Sequence, residues 1–258
     1  MIEVIFPHTG ITFPYYLGVI KILKEHYQFD GVKFSGTSAG MFPCVLAFLD
    51  KDIDAIFEKI LGEFDTKESY EKIIRNVLED VITEEDFQTV NGKVICKMAK
   101  LNKFLIPEKT YVSSWTDRKD MIECLVAGCH IPYITGEGFY YEYRDSKILD
   151  GWFAHTSMKP ATNYEYFNIK HPEDSLLDML SIPNKRRLIE LYHQGILDTE
   201  KDLRLYRYMF APKEGVWKLR SDMTEKELLE IPSLALYTFE GDWSAEKMEW
   251  AKNIIENR

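Results

Sequence analysis

The chain has 258 residues, of which 45% are hydrophobic and 14% aromatic, enough for one large α/β domain or at most two small ones. Its formal net charge of −10 argues against nucleic-acid binding as a main role, because phosphate contacts need clustered lysine and arginine. No apolar run reaches the roughly 18 residues of a membrane span, and residues 1–6 lack the features of a signal peptide. With four cysteines and no C-x-x-C spacing, a reduced protein of the cytoplasm is expected.

The amino-terminal part predicts alternating strands and helices. Residues 2–6 and 32–35 have the composition of strands, and residues 15–26 place apolar side chains at helical spacing. This β–α–β–α opening is typical of a parallel sheet with right-handed crossovers. Further helices are expected at 52–62, 67–82, 117–128, 174–181, 184–197, 224–230 and 244–256, and further strands at 94–96, 111–113, 139–143, 147–149, 164–169 and 233–239. Another helix is expected to start at Thr83 as its N-cap, and Asp117 is the expected cap of the helix at 117–128.

No repeat, linker or composition shift marks a boundary within the chain. We therefore expect a single domain over residues 1–258, with its motifs in residues 1–170 and a helix-rich carboxyl-terminal part in residues 171–258.

A G-x-S-x-G motif spans residues 36–40. It follows the second predicted strand and opens the apolar stretch 41–49, which is the strand–turn–helix context of a nucleophile elbow. Gly36 and Gly40 would remove side chains that clash in such a turn, and the helix that follows would direct N–H groups at a developing oxyanion. The motif makes Ser38 a candidate nucleophile for acyl transfer. The alternative is an ordinary turn in which Ser38 is a helix N-cap.

An Asp-Gly pair follows a strand-like segment more than a hundred residues later. A carboxylate needs a raised pKa to deprotonate a serine hydroxyl, because an ordinary aspartate is a poor base. Apolar neighbours, here Leu149, Trp152 and Phe153, would raise the pKa of Asp150 by desolvation, and Gly151 would permit close backbone approach. The alternative is a plain Asp-Gly turn.

Together these motifs resemble the Ser–Asp dyad of patatin-like phospholipases. Residues 117–133, with Cys-His-Ile-Pro at 129–132, resemble the helix and the A-S-C-x-I-P loop that precede the Asp-Gly of that family. The resemblance covers about residues 1–170 and implies a patatin-like three-layer α/β/α sandwich with a central, mostly parallel sheet. It implies cleavage of carboxylic esters of phospholipids or acylglycerols through an acyl-enzyme, with Ser38 as nucleophile and Asp150 as proton acceptor. It also implies that no histidine, metal or organic cofactor takes part.

The glycine-rich oxyanion loop of the family maps onto residues 8–13. Gly10 is kept, whereas His8 and Phe13 stand where the family has glycine. The resemblance implies that backbone N–H groups of Thr9, Gly10 and Ile11 form the oxyanion hole. A glycine with positive φ cannot be replaced without strain, so these changes would weaken catalysis.

Two other interpretations stay open. Trp152 stands where the family usually has Gly or Ala, where it would crowd the site or narrow the acyl pocket. With the altered loop, it favours a weakened or inactive relative that binds lipid or a protein partner. A triad with His155, His171 or His193 would satisfy the order Ser…Asp…His, but the elbow here follows the second strand instead of several.

The expected partner is a lipid ester substrate, with transient contact to a membrane or lipid-droplet surface. The aromatic residues Phe139, Tyr140, Tyr141 and Tyr143 would form either cross-strand packing or an interfacial patch. No histidine pair has the spacing of a zinc site, so no metal is expected.

Overall fold

The computed structural model describes residues 2–66, 68–156, 158–171, 184–207 and 209–213. The helices predicted at 174–181, 224–230 and 244–256 and the strand predicted at 233–239 lie outside these residues.

Most elements within the described residues occur where the sequence predicts them, with shifted ends, whereas the two-residue strands Tyr27–Gln28 and Ala211–Pro212 have no predicted counterpart. The strands are β1 Ile2–Phe6, β2 Tyr27–Gln28, β3 Val32–Thr37, β4 Val94–Leu101, β5 Pro107–Val112, β6 Tyr141–Tyr143, β7 Ser146–Asp150, β8 Glu165–Asn168 and β9 Ala211–Pro212. The α-helices are α1 Phe13–His26, α2 Met41–Leu46, α3 Ile53–Glu63, α4 Tyr70–Val81, α5 Glu84–Val90, α6 Arg118–Ala127 and α7 Lys185–Tyr206. Three short 3-10 helices span Gly10–Thr12, Ser38–Gly40 and Gly151–Ala154, and each holds a residue of the predicted site.

The centre of the main sheet is parallel. Strands β8, β1, β3 and β4 are parallel neighbours in that order, and β5 and β7 pair with β4 in antiparallel orientation, followed by β6. The predicted α/β class, with a central, mostly parallel sheet flanked by helices, is confirmed and agrees with a three-layer sandwich. Because β1 and β3 are parallel, the turns that follow them meet at one edge of the sheet, where open α/β sheets usually bind ligands.

Side-chain caps fix where two of the helices begin. The hydroxyl of Thr83 accepts from the N–H of Asp86, and the Asp86 carboxylate accepts from the N–H of Thr83 at 2.8 Å, which forms a capping box. The Asp117 carboxylate accepts from the N–H of Asp120 at 2.8 Å at the start of α6. Each cap satisfies an N–H group that has no partner inside its helix, and both caps are as predicted.

Helix α7 packs directly on α1 through two glycines. A Cβ atom on Gly18 would lie 2.2 Å from the Tyr192 carbonyl oxygen, and one on Gly195 would lie 1.9 Å from the Tyr15 carbonyl oxygen. The two helix backbones therefore touch at a point that no larger residue would allow. None of the helices in the described part of the chain is long and apolar enough to cross a membrane.

The aromatic run at the start of β6 is largely engaged in packing. Tyr143 is buried, and the Tyr141 hydroxyl accepts from the Arg75 guanidinium at 2.6 Å. The ammonium group of Lys147 lies 4.6 Å from the centre of the Tyr140 ring. Most of the aromatic residues at 139–143 are therefore explained by cross-strand and helix contacts and do not form an interfacial patch.

Candidate active site

Ser38 occupies a sharp turn directly after β3. Its φ is 56°, in the left-handed region that residues other than glycine seldom adopt. A Cβ atom on Gly36 would lie 2.5 Å from the Gly40 carbonyl oxygen, and one on Gly40 would lie 2.1 Å from the Pro7 carbonyl oxygen. Both glycines of the motif are therefore required by close backbone contacts. The N-cap alternative for Ser38 is wrong, because Thr37 holds the N-cap position of the 3-10 helix.

Asp150 ends β7 with its side chain buried beside Ser38. Its Oδ1 atom accepts a hydrogen bond from the Trp152 N–H at 2.9 Å. Burial raises the pKa of Asp150 from 3.8 to about 6, and the Ser38 hydroxyl and the Trp152 N–H partly oppose this rise. The Ser38 hydroxyl lies close enough to affect this pKa but makes no hydrogen bond of standard geometry with the carboxylate. Oδ2 of Asp150 is thus buried without a hydrogen-bond partner among the described residues.

The third predicted segment, residues 129–132, contacts the Asp-Gly pair and lines the same cavity as the elbow. The backbone N–H of Asp150 donates to the carbonyl oxygen of His130 at 2.8 Å. The neighbouring residues Cys129 and Ile131 line a cavity that Ser38 also lines. The elbow, this loop and the Asp-Gly pair, which are far apart in the sequence, are therefore brought together in the fold.

Gly151 lets the chain turn tightly against the central strands. A Cβ atom there would lie 2.3 Å from the Lys97 carbonyl oxygen and 2.9 Å from Cγ2 of Thr37. Thr37 immediately precedes Ser38, so the close approach at Gly151 helps to hold Asp150 beside the elbow. Trp152 contributes its backbone N–H to Asp150, while its side chain is 39% exposed and does not line the cavity. Trp152 therefore does not narrow the cavity, contrary to the expectation from the sequence.

The loop after β1 has little of the strain that the sequence suggests. Gly10 has a φ of 50°, whereas Phe13 has a φ of −53° and His8 is not among the residues with positive φ. The one glycine that is kept thus occupies the position that needs it. Gly10 and Ile11 line the cavity beside Ser38 at the start of a 3-10 helix, where N–H groups lack helical partners. Thr9 is fully buried and does not line the cavity.

An apolar cavity of about 130 Å³ opens beside Ser38. Apart from the elbow and the loop after β1, its walls come from α1, α2, α3, α4 and the loop after α6. The helices contribute mainly aliphatic and aromatic side chains, among them Phe42, Val45, Ile56, Ile60, Ile73 and Val77. Such a lining suits a hydrocarbon chain and offers few groups for recognition of a polar molecule.

The three histidines of the alternative triad lie in other surroundings. The backbone N–H of His171 donates to the Tyr16 hydroxyl at 2.8 Å, and the ring of His193 packs near that of Tyr192. Neither these residues nor His155 lines the cavity or affects the pKa of Asp150. Within the described residues, no group of three or more His, Cys, Asp and Glu side chains is arranged to hold a metal ion.

A buried charged network supports the sheet next to the site. Glu3 is fully buried and accepts from the Ser35 hydroxyl at 2.6 Å and from the N–H groups of Ala161 and Thr162 at 2.9 and 2.8 Å. Lys97, also fully buried, donates to the Lys159 carbonyl oxygen at 2.8 Å. Burial lowers the pKa of Lys97 to about 8, although Glu3 opposes this shift. The network attaches residues 159–162 to strands β1 and β4 of the sheet.

Comparison with known proteins gives partial similarity to lipid-modifying enzymes. No protein-family model matches the chain. It is 27% identical over 139 residues to the human omega-hydroxyceramide transacylase, an alignment that covers 50% of this chain and 25% of that protein. The mouse omega-hydroxyceramide transacylase is 23% identical over 148 residues, which cover 55% of this chain and 24% of that protein. The chain therefore spans about a quarter of the length of the curated relatives that it matches, both named for transfer of an acyl group involving a lipid.

Proposed function

We propose that this protein is a lipid acyl hydrolase that cleaves carboxylic esters of phospholipids or acylglycerols through a Ser38–Asp150 dyad. The observation that carries the proposal is the burial of Asp150 beside Ser38, with a pKa raised to about 6. A carboxylate with such a pKa is mostly ionised at neutral pH, yet is a better base than an ordinary aspartate. An activity on lipid esters is also consistent with the two transacylases that the chain resembles.

The finer assignment, to a single patatin-like domain, has its support in the order and contacts of three segments. The elbow around Ser38, the loop at 129–132 and the Asp150-Gly151 turn follow one another as in that family, and they meet in the fold. No histidine is needed in this scheme, which agrees with the surroundings of Asp150.

In the first half-reaction, Oγ of Ser38 attacks the ester carbonyl carbon while its proton passes to Asp150. The oxyanion of the tetrahedral intermediate would be stabilised by the N–H groups of Gly10, Ile11 and Ala39, which all line the cavity with Ser38. Collapse of the intermediate breaks the bond to the alcohol. The departing alkoxide takes the proton from Asp150, leaving an acyl group on Ser38.

In the second half-reaction, a water molecule attacks the acyl-enzyme and gives a proton to Asp150. Collapse of the second intermediate releases the fatty acid and returns that proton to Oγ of Ser38. The enzyme is thereby restored with no net change in its protonation. The acyl chain would lie in the apolar cavity throughout, where Val45, Ile60 and Val77 provide its surroundings.

A second candidate function is transfer of the acyl group to a lipid hydroxyl in place of water. The names of the two relatives favour it. Both reactions share the first half-reaction, so they differ only in what attacks the acyl-enzyme. Addition of a long-chain alcohol to the assay would yield a new ester if transfer occurs and would leave fatty acid as the sole acyl product if it does not.

The test is hydrolysis of p-nitrophenyl butyrate by the purified protein and by Ser38→Ala. We expect the variant to lose about 10³-fold or more of the rate and to escape labelling by a fluorophosphonate probe. Ser114→Ala, at an exposed serine, is the matched control and should behave as the parent. Equal hydrolysis by the parent and Ser38→Ala would remove Ser38 from the mechanism, whereas no turnover by either protein would favour a binding protein without catalysis.

A further inference from the structure

The hairpin between β4 and β5 ends in three adjacent exposed apolar residues. Phe104, Leu105 and Ile106 are 69%, 50% and 56% exposed, respectively. Single exposed apolar side chains are ordinary, but a contiguous group of large ones usually marks an interaction surface. These three residues do not line the cavity and do not belong to the dyad.

The backbone of this hairpin tip is hydrogen-bonded within itself. The N–H groups of Phe104 and Ile106 donate to the side-chain oxygen of Asn102 at 2.9 and 3.1 Å. The N–H of Leu105 donates to the Asn102 carbonyl oxygen at 2.9 Å, and the N–H of Asn102 donates to the Ile106 carbonyl oxygen at 3.0 Å. Each apolar residue of the tip therefore has its N–H satisfied without water. This property lowers the cost of entering lipid, where unpaired backbone groups are expensive.

The topology places the hairpin tip at the edge of the sheet that carries Ser38. Strands β3 and β4 are parallel, and Thr37, the last residue of β3, is aligned with Lys97. Strand β4 continues for four more residues, to Leu101, or about 13 Å at the usual rise of a strand. The tip thus projects beyond the level of Ser38 on the same side of the molecule.

A second exposed apolar pair lies at the rim of the cavity. Tyr133 and Ile134 are 75% and 56% exposed. Ile134 also lines the cavity that contains Ser38. The rim of the cavity that contains Ser38 therefore also carries exposed apolar side chains.

The charges around the hairpin tip suit a phospholipid surface. Lys100, Lys103 and Lys109 are exposed and outnumber the nearby carboxylate of Glu108. The ammonium group of Lys103 lies 4.9 Å from the centre of the Phe104 ring, so the charge and the apolar group are presented together. Lysines of this kind keep their charge among lipid headgroups while their stems cover apolar surface. The net charge of −10 of the whole chain argues against strongly anionic membranes and favours zwitterionic ones.

We propose that the hairpin tip, residues 102–106, docks this protein onto a zwitterionic phospholipid surface by inserting Phe104, Leu105 and Ile106 below the headgroups. The inference rests on the proposed function in one respect, since the surface then supplies the lipid ester to the cavity. Docking itself requires neither Ser38 nor Asp150 and is measured without turnover.

The first experiment measures partitioning onto phosphatidylcholine vesicles by sedimentation. The double variant Phe104→Ser/Ile106→Ser should partition about 100-fold less than the parent, at roughly tenfold for each large apolar side chain withheld from lipid. Leu197→Ser, which removes an apolar side chain 54% exposed on α7, is the control and should partition as the parent does. All three proteins should hydrolyse p-nitrophenyl butyrate at the same rate, because this substrate needs no surface.

The second experiment reports insertion directly and does not depend on loss of binding. The four native cysteines are all free and buried, so a new surface cysteine can be labelled selectively. An environment-sensitive fluorophore on Phe104→Cys should shift to shorter wavelength when phosphatidylcholine vesicles are added, whereas the same label on Leu197→Cys should not. Failure of the parent to bind vesicles, undiminished binding by the double variant, or equal spectral responses at the two positions would overturn the proposal.

The outcomes for docking and for catalysis are separate. Ser38→Ala should bind vesicles like the parent while losing hydrolysis. Vesicle binding that needs the hairpin tip, together with full hydrolysis by Ser38→Ala, would refute the dyad and support the docking surface. If hydrolysis requires Ser38 but the Phe104→Ser/Ile106→Ser variant binds vesicles like the parent, the docking surface is refuted and the dyad is not.

Discussion

The backbone N–H of Asp150 donates a hydrogen bond to the carbonyl oxygen of His130, at 2.8 Å. This bond joins the end of β7 to the loop after α6, and the Trp152 N–H fixes Oδ1 of the same aspartate from the other direction. Asp150 is thus held through both its backbone and its side chain, which leaves Oδ2 as the carboxylate oxygen with no hydrogen-bond partner in the described residues. A base held in place in this manner loses little free energy to reorganisation during proton transfer.

Replacement of Asp150 by asparagine should abolish most of the hydrolysis while leaving the fold intact. Asparagine keeps the size of the side chain and an oxygen for the Trp152 N–H, but its amide cannot take up a proton from Ser38. We expect a fall in kcat/KM of at least 10²-fold for p-nitrophenyl butyrate, a typical loss for a missing general base. Asp30→Asn, at a position that does not line the cavity, is the control and should keep the parental rate. A variant at Asp150 that retains the parental rate would remove this residue from the mechanism.

The rate should depend on the ionisation of Asp150. Because only the carboxylate form can accept a proton, kcat/KM should fall tenfold for each pH unit below about 6 and level off above it. An apolar neighbourhood sets this midpoint, so it should lie well above the usual value of 3.8. A midpoint near 4, or a rate independent of pH between about 4 and 8, would contradict the burial of the base.

The same pKa predicts how stability changes with pH. The folded pKa of Asp150 is raised, so the group contributes stability that is present below about pH 4 and is lost as the pH rises through about 6. The difference between 3.8 and about 6 corresponds to about 3 kcal/mol. The unfolding free energy of Asp150→Asn, relative to the parent, should therefore increase between about pH 4 and about pH 8 in urea unfolding. An equal difference at the two pH values would contradict the raised pKa.

The features that the sequence predicts well are those with local signals. Gly36, Ser38 and Gly40 lie within five residues, and the packing that requires both glycines is a consequence of one tight turn. Caps such as Thr83 and Asp117 are recognised because their partners lie three residues away. The parallel arrangement of β1 and β3 likewise follows from the helical periodicity between them.

The features that escaped prediction depend on contacts between distant segments. The bond from Asp150 to the His130 carbonyl oxygen involves backbone atoms, which carry no residue signature. Part of the cavity wall comes from α3 and α4, whose apolar residues at helical spacing are indistinguishable from those of an ordinary core helix. The network around Glu3 joins residues about 160 positions apart, and an acidic residue in a strand gives no sign that it will be buried.

Val77→Phe should shorten the acyl chains that the enzyme accepts. Val77 is buried on α4 and lines the cavity. A larger side chain there would occupy part of the volume that a long acyl chain needs. We expect kcat/KM for a dodecanoate ester to fall about tenfold relative to that for a butyrate ester, at a stability cost of about 1–3 kcal/mol. Val112→Phe, on β5 and away from the cavity, should leave the ratio unchanged. A parental ratio in Val77→Phe would show that acyl chains do not enter this cavity.

Glu3→Gln should destabilise the protein even though it replaces a side chain by one of nearly equal size. The carboxylate of Glu3 is surrounded by donors, including the Ser35 hydroxyl and the N–H and hydroxyl groups of Thr162. A glutamine amide would place its own N–H groups against these donors and leave the ammonium group of Lys97, 4.0 Å away, without a compensating charge. The expected loss is about 3 kcal/mol in urea unfolding, whereas Glu200→Gln, at an exposed position on α7, should change stability by less than about 0.5 kcal/mol. Equal stabilities of the two variants would contradict the inference that the Glu3 carboxylate and its donors hold this part of the sheet together.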